Sequence, residues 1–126
     1  GELVDNCLCK NRKKTLNILN ENIPSSEDNI LILRTFLNKL KRLRKLRLNL
    51  NENNNIDQVI NSFKPPIFWK DKPAFLTQSK KWNKKKIREA LKESHKIELR
   101  IKSDSAVDGS VLIKKLIVDI CSLANA

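Results

Sequence analysis

Methionine and tyrosine are absent from this chain of 126 residues, and glycine occurs only twice. A natural reading frame opens on methionine, so the chain reads as a processed protein or a piece of a longer one, with Gly1 resembling a cloning scar. β-Sandwiches, barrels and nucleotide-binding α/β units use glycine freely in their turns, which argues against all three. Four phenylalanines and two tryptophans leave few rings for an aromatic recognition surface. The single histidine, His95, has no nucleophile beside it, and neither a Gly-rich phosphate loop nor an isolated carboxylate pair is present. No catalytic residues, no cofactor and no small-molecule substrate are therefore expected. Three cysteines (Cys7, Cys9 and Cys121) and one histidine do not complete a four-ligand zinc site, so no metal site is expected either. Cys7 and Cys9 stand two apart on a predicted helix and face different ways, which suits small apolar fillers better than a redox pair. Thiols outside a disulfide framework suit the cytosol. The longest apolar runs, 30–33 and 111–113, are too short to span a bilayer, so no membrane partner is expected.

What the chain has in quantity is positive charge. Lysine and arginine number 26 against 14 acids, a net charge of +12. That balance fits a nucleic-acid surface or an acidic partner. Base composition contributes too: 19 lysines against 7 arginines, with 15 asparagines, 13 isoleucines and 5 alanines, is how an AT-rich genome writes most proteins.

The apolar residues recur with helical period, and the chain length fits one domain over 1–126. Leu3, Val4, Cys7 and Leu8 share one face of a first helix over 2–9. A break at Lys10-Asn11 precedes a short helix carrying Leu16, Ile18 and Leu19, which ends before Pro24. Ser25 and Ser26 ahead of Glu27 and Asp28 form a capping signal for a long helix over 27–50. Its predicted inner face is Ile30, Leu33, Leu37, Leu40, Leu43, Leu46 and Leu50. The Asn-rich stretch 51–55 reads as a mobile loop. A short helix over 56–63 turns Val59, Ile60 and Phe63 inward and is stopped by Pro65-Pro66. An extended connector, 67–70, leads to Asp71 as the N-cap of a helix with Pro73 in its first turn and with Phe75, Leu76 and Trp82 along it. Asn83 caps the next helix, over 84–102, whose inner side is Ile87, Ala90, Leu91, Ser94, Ile97 and Ile101. After a turn over 103–109, the last helix, 110–123, is apolar on most sides and is expected to lie centrally. The predicted fold class is all-α, a bundle of five to seven helices.

Two basic clusters and one tryptophan are the candidates for function. Lys39-Leu40-Lys41-Arg42-Leu43-Arg44-Lys45-Leu46-Arg47 suits a solvated or subunit-facing helix, a run of phosphates or a membrane surface. Lys80-Lys81-Trp82-Asn83-Lys84-Lys85-Lys86 spans a helix junction, with Trp82 expected to anchor the two helices. Trp69 lies on the connector between Lys70 and the Pro-Pro pair. It reads either as a packing plug or as a ring that stacks on an unpaired base while Lys70 and Lys72 hold phosphates.

The segment Pro65-Pro66-Ile67-Phe68-Trp69-Lys70-Asp71-Lys72-Pro73-Ala74-Phe75, followed by Gln78, Trp82 and Ile87, resembles the C-terminal part of the delta-subunit family of bacterial DNA polymerase III. In that family a P-P-x-F-x-K-x-K-x-x-F stretch precedes a helix ending in tryptophan. The next helix is similar through Ile87, Ala90, Leu91, Glu98 and Lys102, with Ser94 in place of an apolar residue. Leu16-Asn17-Ile18-Leu19 and Ile30-Leu31-Ile32-Leu33-Arg34 look like the family's front half, and the Phe-Trp-Lys version is similar to alphaproteobacterial members. Lys10-Asn11 lacks the family's small residue, and 103–107 lacks an aromatic, so base stacking is not expected there.

The resemblance implies an all-α collar domain of the clamp loader, joined in a ring to the collars of the other clamp-loader subunits in the bacterial cytoplasm. Such a fragment lacks the AAA+-like domains and carries no ATP site and no clamp-opening element. The resemblance further implies that Trp69, Lys70 and Lys72 approach primer–template DNA. The alternative from residues alone is a free-standing basic helical domain that binds nucleic acid.

Overall fold

An apolar stripe that returns every three or four residues gives the protein its longest helix and the frame for the rest. The computed structural model describes residues 2–9, 13–15, 26–103 and 108–124. Six helices stand in that range: α1 (Glu2–Leu8), α2 (Ser26–Asn49), α3 (Ile56–Asn61), α4 (Lys72–Lys81), α5 (Lys84–Ser103) and α6 (Gly109–Ala124). Residues 13–15 are helical as well, and no strand occurs among the described residues. The fold is an all-α bundle, as the periodicity predicts. The short helix over Leu16–Leu19, the break at Lys10-Asn11, the 25–28 capping signal and most of the turn before α6 lie outside the residues and side chains described.

α2 buries Leu33, Phe36, Leu37, Leu40, Leu43 and Leu46 against α5 and α6, with α1, α3 and α4 also touching it. Each fully buried leucine contributes roughly 1.5–3 kcal/mol through removal of its apolar surface from water. Two details differ from the predicted stripe. Ile30 is 44% exposed, whereas Phe36, which the leucine spacing passes over, is fully buried. α5 packs as predicted through Ile87, Ala90, Leu91, Ser94 and Ile97. Its one hydroxyl in the core, Ser94, donates to the Ala90 carbonyl at 2.8 Å, and so sits where an apolar residue would without leaving a polar group unpaired.

α6 touches α1, α2 and α5, the central position its composition predicts. Not every apolar side of it meets the core, however. Leu112, Ile113, Leu116, Ile117, Ile120 and Cys121 are buried, while Val111 is 61% exposed and Val118 also faces outward. Cys7 donates its S–H to the Ile117 carbonyl at 3.4 Å, and Cys7 and Cys121 are buried thiols outside any disulfide. Cys9 is only half-buried, so the filler role holds for Cys7 and in part for Cys9.

Polar side chains tie the short elements to this frame. Asp5 on α1 accepts from Lys39 at 2.5 Å and from the buried Gln78 amide at 3.0 Å, joining α1, α2 and α4. Trp82, fully buried between α4 and α5, donates its indole N–H to the Leu8 carbonyl at 2.8 Å. That bond caps a carbonyl at the end of α1. The Asn-rich stretch before α3 carries local bonds of its own. Asn51 accepts from the Asn53 amide at 2.8 Å, Asn54 accepts from the Asn51 amide at 2.8 Å, and Asn55 forms a full capping box with Gln58.

Candidate nucleic-acid interface

The connector from α3 to α4 is where the sequence places its site, and its local packing decides which side chains reach solvent. Phe63 and Ile67 are buried, and the Phe63 ring stands edge-on to Phe75 with centroids 5.7 Å apart. These contacts pin both ends of the Pro65-Pro66 segment, where the absence of N–H donors suits an irregular path. Beyond Ile67 the chain does not stay extended as predicted. The Asp71 amide donates to the Phe68 carbonyl at 2.9 Å, closing a turn. Asp71 holds the N-cap position of α4, but its side chain makes no capping bond there.

The turn throws two rings outward. Trp69 is 67% exposed and Phe68 55% exposed, with centroids 5.9 Å apart. The packing-plug reading of Trp69 therefore fails: the plug is Ile67, two residues earlier. The Lys70 ammonium lies 5.4 Å from the Trp69 centroid, a cation–π arrangement. Lys72 goes elsewhere. It is the first residue of α4, half-buried, and its ammonium donates to the side-chain amide oxygen Oδ1 of Asn61 at 3.2 Å, at the end of α3. Trp69 and Lys70 are thus brought together, and Lys72 is engaged by the neighbouring helix.

A shallow groove of about 170 Å³ lies where this connector meets α2, with Lys41, Arg42, Lys45 and Lys64 around Phe63 and Pro65. Arg42 also lines the adjoining cleft with Ile67 and Asp71, so the connector runs beside the cationic face of α2. Lys45 sits 4.9 Å from the Phe63 centroid. The first basic cluster divides accordingly. Lys39 is committed to Asp5, and Arg47 donates to the carbonyls of Trp82, at 3.0 Å, and Ser79. Lys41, Arg42, Arg44 and Lys45 remain exposed. The second cluster divides too: Lys81 donates to the Cys9 carbonyl and Asn83 caps α5 through the Lys86 amide at 2.8 Å, while Lys80, Lys84 and Lys85 face solvent.

Chemically, the arrangement sets an exposed aromatic ring beside exposed cations, the two features that stacking on a base and contact with phosphates require. Lys64 is the member that sequence reasoning missed; Arg42 belongs to the 39–47 cluster that the sequence singles out, and only its place beside the connector is new. A cation immediately before Pro-Pro, close to the Trp-Lys pair, was the available signal for Lys64. Arg42 became assignable only with its pairing to the connector. No group of three His, Cys, Asp or Glu side chains among the described residues could hold a metal ion, and no described helix is long and apolar enough to cross a membrane. No family model, curated protein or solved structure matches the chain.

Proposed function

We propose that the chain is a non-catalytic collar domain of a clamp-loader delta-type subunit, which joins the collars of its sister subunits and touches primer–template DNA through Trp69 and Lys70. The observation that carries the DNA part is the exposure of Trp69 under the Lys70 ammonium, beside the cations Lys41, Arg42, Lys45 and Lys64. An aromatic ring left in water costs apolar burial and is suited to stack on a splayed base, while neighbouring lysines neutralise backbone phosphates. The assembly part is supported by the all-α bundle and by exposed aliphatic side chains on several helices, among them Leu31, Leu48, Leu99 and Val111. A standard interface buries on the order of 800 Å² per partner and needs area and shape, not reactive groups.

The second reading is a free-standing basic domain that binds nucleic acid unaided, favoured by the exposed cations of α2. A salt titration on fluorescent primer–template DNA separates the two. The collar reading expects weak binding by the chain alone, tighter binding once the chain is assembled with the other clamp-loader subunits, and a loss in the assembly on Trp69→Ala. Tight binding by the chain alone with a steep log–log salt slope establishes the second reading instead. Unchanged affinity and slope for Trp69→Ala in the assembly removes Trp69 from the DNA surface.

A further inference from the structure

On the other flank of α2 from the Trp69 connector, a groove of about 340 Å³ runs between α2 and α5. Its apolar lining is Leu48, Ile87 and Leu91, and its charged lining is Arg44, Arg47, Lys84 and Arg88. The spacing is helical on both sides. Arg44 and Leu48 are four apart on α2, and Lys84/Arg88 and Ile87/Leu91 are each four apart on α5, so each helix sets cations beside aliphatics. Leu48 is exposed despite its size. Arg47 is held in place by the backbone carbonyls of Ser79 and Trp82, which accept from its Nε and one terminal nitrogen without cancelling its charge. Among the described residues none of the four cations is paired with a carboxylate.

We infer that this groove docks an acidic amphipathic helical segment of a partner protein, with the segment's apolar side chains against Leu48 and the aliphatic stems of the cations, over the buried Ile87 and Leu91, and its carboxylates against Arg44, Lys84 and Arg88. The charge complement is the argument for that occupant: an aliphatic floor rimmed only by cations matches a ligand that is apolar on one stripe and negative beside it. Nucleic acid fits less well. No aromatic side chain lines the groove to receive a base, and a phosphate backbone on the rim leaves Leu48 wet. The inference rests on residues separate from the Trp69 surface and stands or falls independently of the DNA reading.

The test uses the 126-residue chain and a fluorescein-labelled synthetic peptide of about four helical turns, with leucines on one stripe and glutamates flanking it. Anisotropy is expected to show saturable binding that weakens with salt. Arg44→Glu/Arg88→Glu is expected to weaken it by at least about tenfold, Leu48→Ser by several-fold, and Lys114→Glu on α6 by less than about twofold. All four positions are exposed, and far-UV circular dichroism confirms that the variants keep their helicity. Absence of saturable binding overturns the inference, as does an equal loss with Lys114→Glu, which would mean attraction to net charge alone. Displacement of the peptide by oligo(dT) with the same dependence on Arg44 and Arg88 also overturns it and assigns the groove to nucleic acid.

Discussion

The two tryptophans predict opposite responses to the same substitution. Trp82 is fully buried, and truncation to alanine in a packed core costs about 3–5 kcal/mol. It also strips the Leu8 carbonyl of its 2.8 Å indole donor, and an orphaned buried acceptor adds about 1–3 kcal/mol. Partial relaxation of the cavity offsets some of this, so Trp82→Ala should lose about 4–6 kcal/mol. That is most of the stability of a domain at the lower end of the usual 5–15 kcal/mol range, roughly speaking. Trp82→Phe keeps much of the ring and loses the N–H, for about 2–3 kcal/mol. Trp69→Ala removes a ring that is 67% exposed and should stay within about 0.5 kcal/mol of the parent. Urea unfolding followed at 222 nm measures all three on one scale, and a thermal scan should move by about 3–6 °C per kcal/mol. The reasoning is refuted if Trp82→Phe matches the parent, or if Trp69→Ala loses more than about 1.5 kcal/mol and so proves to be a packing residue.

Three further predictions follow from the polar contacts. Asp5→Ala leaves the buried Gln78 amide without its 3.0 Å acceptor and should cost about 1–3 kcal/mol in the same urea assay; no measurable change would mean that water replaces the carboxylate. Asn55→Ala breaks the capping box of α3 and should cost about 1 kcal/mol, with Asn55→Ser recovering most of it. Burial, reinforced by the neighbouring Cys121, raises the Cys7 thiol far above its ordinary value, and burial raises Cys9 as well. The unfolded chain therefore gives up these protons first, so their contribution to stability is intact below about pH 8.5 and declines as pH rises beyond it. Iodoacetamide at pH 8, read by mass spectrometry, should label half-buried Cys9 before Cys7; labelling of Cys7 first would contradict the packing of α1 on α6.

How far the sequence could be read depends on how local each cause is. The bounds of α2 and α5 were legible to within a residue or two because aliphatic spacing and Asn83 act within a few residues of the chain. The inner faces were legible wherever one stripe faced one neighbour. Periodicity alone misplaced Ile30, overlooked Phe36 and could not tell which of α6's apolar sides would stay uncovered, because which flank is covered depends on the elements that arrive there. Trp69 is the sharpest case. Flanking Pro-Pro and lysine are compatible with either a plug or a stacking ring, and the outcome is set by Ile67 taking the buried position. Lys72 was grouped with Trp69 and Lys70 by adjacency, yet Asn61 on α3 draws it away. The α2–α5 groove was present in the sequence as two sets of residues four apart, but nothing local pairs Arg44 and Leu48 with Arg88 and Leu91.

The central claim is that these helices serve assembly with sister subunits. Sedimentation velocity on the chain mixed with the other subunits of an alphaproteobacterial clamp loader tests it most directly. The collar account predicts that the chain leaves the slow boundary of a 14.6 kDa monomer and co-sediments with those subunits in one faster species. A chain that stays in its own slow boundary, at concentrations where the partners assemble, contradicts it.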